Sequence, residues 1–181
     1  RQVVALGGNV ARIGGGADHT MAVLDYGSFW IWGDNSRGQL GLGPVPDQAA
    51  PVQVPLPTTV LDATGGDYHT LVALSDGSVW TWGYNLFGAL GLGYTNEFVN
   101  VPTQVSGLNN VVAVAGGRNH SLALKSDGSD LAWGGNAIYQ LGDNTTLQRT
   151  LPVPVGLTGV VAISAGDTFS MALKSDGTVW T

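Results

Sequence analysis

A chain of 181 residues, 44% apolar and only 11% charged, is long enough to bury a sizeable core and too apolar to stay disordered. Its net charge of −6, with seven Lys and Arg scattered along its length, argues against a nucleic-acid stripe and offers no polybasic patch to a membrane surface; no apolar run approaches the length of a membrane span. Cysteine is absent, so disulfides and thiolate metal sites are excluded while the redox compartment stays open.

The opening RQVVALGG lacks the pattern of a signal peptide, and its RQVV aligns with PVQV further on, so residues 1–8 read as the tail of a preceding repeat. Residues 9–58 set out a unit that recurs. An apolar stretch ends in glycines, His19 opens two strands around Tyr26-Gly27, the second strand closes on Trp32-Gly33, and GQLGLG leads through a polar loop to PVQV. Residues 59–109 repeat it as TVLDATGG, HTLVALSDGSVWTWG and PTQV; Asp76-Gly77 supplies a dipeptide that tolerates the positive φ of a tight hairpin. Residues 110–158 follow with NVVAVAGG, Asp127-Gly128 and PVPV, and residues 159–181 run through Asp176-Gly177 as far as SDGTVWT.

The landmarks keep step. His19, His69 and His120 lie 50 and 51 residues apart (69−19, 120−69), and Phe169 follows 49 later (169−120). Trp32, Trp82 and Trp133 move with them, as do Gly33, Gly83 and Gly134, Asn35, Asn85 and Asn136, and Pro51, Pro102 and Pro152. Helical spacing of apolar residues is absent over any useful length, so four short strands per unit of about fifty residues predict propeller blades.

The constant residues suit structural work. Trp32, Trp82 and Trp133 would place large flat area between blades, and the Asn residues suit turns in which the side-chain amide bonds nearby backbone. His19, His69 and His120 could suggest a metal site, but residues one blade apart sit too far from each other to share an ion, and Phe169 could not be a ligand. A buried ring nitrogen satisfied by backbone is the expected role. No phosphate-binding loop, nucleophile elbow, paired general acid and base or calcium loop stands in the sequence, so neither cofactor nor enzymatic activity is expected.

The pattern HTxAL-SDGxVWxWGxNxxGQLGLG…PxxV resembles the regulator-of-chromosome-condensation repeat over essentially the whole chain, in a bacterial-type member or a fragment of one. The resemblance implies an all-β fold of four-stranded antiparallel blades, here about three and a half repeats of a ring that has seven blades when closed. Open repeat ends would then need either a longer chain or a second copy to cover them.

Against this constancy, the two residues between the glycines and the histidine change in every repeat. They are Ala17-Asp18, Asp67-Tyr68, Arg118-Asn119 and Asp167-Thr168. Each pair joins two strands, so rotation about the ring should gather all four on one face, the usual arrangement of a binding surface on a rigid scaffold. Tyr68 and Arg118 are the expected anchors. A second variable stretch after each Trp-Gly contains Arg37, Phe87 and Tyr139, which either extend that face or pack beneath the following turn. Light-sensing members of the family carry repeated Trp-Arg pairs at these tips; no Trp stands there in this chain, so that role is not expected.

The function expected is a non-catalytic scaffold for a protein partner. A self-assembling surface or filament component, joined through open repeat ends, is the alternative; a nucleotide-exchange regulator of a small GTPase is disfavoured because no repeat carries a long insertion. Low charge, absent cysteine and Thr/Asn/Gly-rich loops favour an extracellular or cell-surface location over a cytoplasmic one.

Overall fold

The computed structural model describes residues 6–181, so most of the repeat tail expected at residues 1–8 lies outside the described residues. Fifteen strands form four antiparallel sheets, and no helix occurs among the described residues. The first sheet holds β1 (Val10–Gly15), β2 (His19–Leu24), β3 (Phe29–Gly33) and β4 (Gln48–Val54). The second holds β5 (Val60–Gly65), β6 (His69–Leu74), β7 (Val79–Asn85) and β8 (Asn96–Gln104). In the third are β9 (Val111–Gly116), β10 (His120–Lys125), β11 (Asp130–Gly134) and β12 (Arg149–Pro154). The fourth has three strands, β13 (Val160–Ala165), β14 (Ser170–Lys174) and β15 (Val179–Trp180).

Within each sheet every strand pairs with its neighbour in sequence, the first three strands through short connections and, in the three four-stranded sheets, the third and fourth through a longer loop. The inner strands β1, β5, β9 and β13 touch in series, and the second strand of each sheet packs on the inner strand of the next. The sheets therefore stand radially about a common axis, as propeller blades.

Burial follows from this stacking. A strand covered by sheets on both faces needs apolar or satisfied residues at every position instead of alternating ones. β6, HTLVAL, is buried along its whole length between the first and third blades. β1 has no blade against its outer face among the described residues, and five of its six residues are exposed. The inner strands share one irregularity: their pairing slips by a residue at Val10/Arg12, Val60/Asp62 and Val160/Ala162, and at the matching end of β9. Such bulges increase the local twist, which helps radial sheets fan out from the axis.

Large side chains fill the spaces between blades. Trp82 joins Met21, Phe29, Ile31 and Leu40 of the first blade in one cluster, and Phe29 meets its ring edge-on at a centroid distance of 5.8 Å. Trp133 does the same against Val79 and Val105 of the second blade. Both indoles are fully buried. Trp32, expected in the same role, is only half-buried, because among the described residues it packs merely on Leu6, Ala22 and Leu24.

Candidate interaction face

The histidines open the explanation of what is constant. His19 Nε2 lies 3.0 Å from Thr70 Oγ1 of the next blade, and that hydroxyl donates to Gln39 O at 2.8 Å. His69 reaches Ser121 Oγ at 3.0 Å, which donates to Ala89 O at 2.7 Å. His120 reaches Ser170 Oγ at 3.1 Å, which donates to Gln140 O at 2.6 Å. Since each hydroxyl spends its proton on a carbonyl, it accepts from the ring, and Nε2 carries the hydrogen. The direct partner of each imidazole is therefore a hydroxyl from the neighbouring blade, with the expected backbone acceptor one step beyond. Each ring is tied to a different hydroxyl, so the three act as inter-blade staples. Burial pushes His19 down to about 4 against the pull of Asp34, His69 to about 3 with help from His120 and His19, and His120 to about 4 against the Phe169 backbone and Asp167. All three are neutral at pH 7.

The glycines before each histidine bring the loops together. A Cβ on Gly66 would collide with Gly117 O, and one on Gly16 with Gly66 O, so the backbone of one loop passes where a side chain would be. The four loops thereby form the wall of a concavity of about 400 Å³ on the axis, lined among others by Gly66, Asp67, Gly117, Arg118, Gly166 and Asp167. The following backbone is anchored too: Asp34, Tyr84 and Gly135 donate to the carbonyls of Asp18, Tyr68 and Asn119 at 2.9, 2.8 and 2.8 Å. With both ends of the first three loops fixed, the side chains of the intervening pairs are left to vary.

The structure places all four variable pairs at the same end of the blades. Ala17, Asp18, Arg118, Asp167 and Thr168 are exposed, while Asp67, Tyr68 and Asn119 are half-buried. Arg118 spans two blades: its Nε lies 3.4 Å from Asp67 and 3.9 Å from Asp167, and its backbone N donates to Asp167 O at 3.0 Å. Partial burial raises the Asp67 pKa above its usual value, Arg118 opposes that, and Asp167 and Asp18 add to it.

The second variable stretch lies at the same end. Phe87 is 42% exposed and Tyr139 64%, and Tyr139 also lines the groove between the third and fourth blades beside Leu141 and Gly142. Tyr68 meets Tyr84 edge-on at 6.3 Å, and Tyr84 meets Phe87 at 6.3 Å, making an aromatic ridge. Arg37 crosses from the first blade to lie 5.6 Å over Tyr84 and pairs with Glu97 at 2.8 Å. Tyr84 and Glu97 were not singled out from the sequence. Tyr84 occupies the slot filled by Asp34 and Gly135 in the other repeats, so its variation beside the constant Trp-Gly was the available signal.

Radial sheets stacked about a glycine-lined axis, with variable loops gathered on one face, define a repeat protein of the propeller type. The regulator of chromosome condensation (RCC1) repeat matches residues 26–73, 76–124 and 127–173, and a second pattern of the same description matches residues 10–39, 60–89 and 111–138; the chain belongs to that family. It is 32% identical over 136 residues to Protein pim1 of Schizosaccharomyces pombe, covering 75% of this chain and 18% of that protein. It is 30% identical over 149 residues to the ultraviolet-B receptor UVR8 of Arabidopsis thaliana, covering 81% of this chain and 34% of that protein. Among solved structures, Prp20p of Saccharomyces cerevisiae superposes with a TM-score of 0.82 at 21% identity, over 93% of this chain and 45% of that one. Yeast RCC1 (Prp20) bound to Kap60 gives 0.78 at 25% identity, over 94% and 42%. The chain thus spans less than half the length of each of these proteins.

Proposed function

We propose that the protein is a non-catalytic binding scaffold whose loop face receives a protein partner. The observation that carries this reading is the gathering of four variable loop tips around one concavity, beside a ridge of half-buried Tyr68 and Tyr84 that ends on exposed Phe87. Aromatic and arginine side chains are the usual energetic centres of protein interfaces, and a rigid scaffold holding variable tips loses little entropy on binding. The yeast relative bound to Kap60 supports a binding role for this fold in general. Arg37 and Arg118 are already engaged within the chain, so Tyr68, Phe87 and Tyr139 are the principal anchors, with the two arginines holding the surface in shape.

The test compares variants by capture of partner from a native source. Phe87→Ala combined with Tyr139→Ala should abolish capture, while Tyr26→Ala, an exposed aromatic in the opposite-end hairpin, should leave it unchanged. Equal capture by all three proteins would remove the loop face from consideration.

A further inference from the structure

The loop face already holds one cation. Arg37 crosses from the first blade so that its guanidinium lies 5.6 Å over the Tyr84 ring, while its Nη1 donates to Glu97 Oε1 at 2.8 Å. An aromatic face together with a carboxylate makes a full seat for a guanidinium. The ridge continues past this seat on both sides. Tyr68 meets Tyr84 edge-on at one end, and at the other exposed Phe87 stands next to exposed Leu86. All four belong to the second blade, and the first and third blades pack on its two sides. What is uncovered here is therefore uncovered with both neighbours in place.

Charge around the ridge is unbalanced. Asp18, Asp34, Asp67, Asp167 and Glu97 stand at this end of the blades against Arg37 and Arg118. Glu97 engages Arg37, and Asp67 and Asp167 share Arg118. Asp34 accepts from neutral groups, Ser36 Oγ at 2.8 Å and Gln39 Nε2. Asp18 is exposed and has no ion pair among the described residues. The shortfall of positive charge is felt at Asp67. Partial burial raises its pKa, Arg118 opposes the rise, and Asp167 and Asp18 reinforce it. A lysine or arginine brought to this place relieves the repulsion, and a further carboxylate adds to it.

We infer that the partner of this face presents a basic protein segment with an apolar side chain beside the charge. Its apolar group covers Leu86 and Phe87, and its lysine or arginine lies along Tyr68 with the head towards Asp18 and Asp67. The partner's cation thus repeats what Arg37 does within the chain. Both halves of this chemistry are required. A purely apolar segment would take Asp18 and Asp67 out of water without a counter-charge, and a purely basic one would leave Leu86 and Phe87 wet. The inference rests on the loop-face reading and names the chemistry of its occupant.

The probes are three dye-labelled peptides of equal length, titrated into the 181-residue protein by fluorescence anisotropy at one ionic strength. They are GSKLFRKLFKGS, its acidic counterpart GSELFEELFEGS, and GSKGSRKGSKGS, which keeps the basic charges without the apolar groups. Saturable binding of the first is expected, with the other two weaker by about tenfold or more. Asp18→Asn combined with Asp67→Asn should weaken the first peptide by about the same factor. Asp76→Asn combined with Asp127→Asn removes as much charge from the opposite-end hairpins, where asparagine suits the turn equally, and should leave binding unchanged. Circular dichroism and thermal midpoint show whether the variants are folded, and the comparison of peptides on the parent protein needs no variant. Equal binding of the basic and acidic peptides, equal weakening by the two variant pairs, or no saturable binding of the first peptide overturns the inference. The loop face itself survives any of these results if Phe87→Ala with Tyr139→Ala still abolishes partner capture. Capture that persists in that variant removes the face and this inference together.

Discussion

Asp130 occupies the slot that Phe29, Val79 and Val179 fill in the other repeats, facing the space between blades. It is 7% exposed, its Oδ1 is buried without a hydrogen-bond partner, and burial raises its pKa. A buried carboxyl lacking a partner for one oxygen costs stability that an apolar residue of similar size would not. Asp130→Val should therefore stabilise the protein by about 1–3 kcal/mol, read from the midpoint of urea unfolding at pH 7. The staple residues predict the opposite sign. Ser121→Ala leaves His69 Nε2–H buried without its acceptor, while Ala89 O keeps the Trp133 indole. A loss of about 1–3 kcal/mol is expected on the same measurement. The fourth repeat shows what replaces a staple. Phe169 stands at the histidine position and is 49% exposed, so an aromatic ring is compatible with that place where no further blade covers it among the described residues.

At the scale of the element, the blades are held by two kinds of contact of unequal worth. The indoles of Trp82 and Trp133 are fully buried and hydrogen-bonded across the interface. Trp82→Ala removes the ring from the cluster around Phe29 and Leu40, and should cost about 3–5 kcal/mol, seen as a large fall in thermal midpoint. The ion pairs are the weaker kind. Arg118 is 56% exposed, and its contacts at 3.4 and 3.9 Å are loose for charge pairs. Arg118→Ala should change stability by less than about 1 kcal/mol, and added salt should erase most of that difference. If Arg118→Ala proved as damaging as Trp82→Ala, the bridge between Asp67 and Asp167 would be a principal support of the ring.

The whole molecule couples its staples to pH. The histidines titrate near 6.5 when the chain is unfolded, whereas in the folded protein burial depresses His19 and His120 to about 4 and His69 to about 3. Because the unfolded state binds more protons in this window, the stability they contribute is complete above pH 6.5 and is lost as pH falls towards 4. With all three protonated only in the unfolded chain, the slope near pH 5 should approach about 4 kcal/mol per pH unit, at about 1.4 for each ring. Urea unfolding at pH 7, 6 and 5 checks this, and a flat profile would mean the rings are not buried neutral. Phase matters at this scale as well. The family repeat at residues 26–73 runs from the middle of the first blade to the middle of the second, so each sequence repeat contributes two strands to each of two neighbouring blades. Covalent continuity therefore reinforces the same interfaces that the staples and indoles hold.

The number of strands, their antiparallel order, the hairpins at Asp76-Gly77 and Asp127-Gly128 and the stacking role of two of the three tryptophans were all legible in the sequence. Each rests on a local rule: apolar stretches bounded by turn residues, repeated at a fixed step. The common face of the variable pairs was legible too, because it follows from rotational repetition. What the sequence could not show depends on distance across blades. The hydroxyl partner of each histidine lies about one repeat away. Arg118 finds its two aspartates on different blades, and the ridge from Tyr68 to Phe87 with Arg37 above it combines residues of two sheets. The half-exposure of Trp32 shows the same thing from the other side: its residue type matches Trp82 and Trp133, but burial depends on the sheet that packs against it. Local chemistry set the blades and the conformation of their turns; only packing of one blade on the next decided which polar groups meet, which aromatics are covered and where the surface stays open.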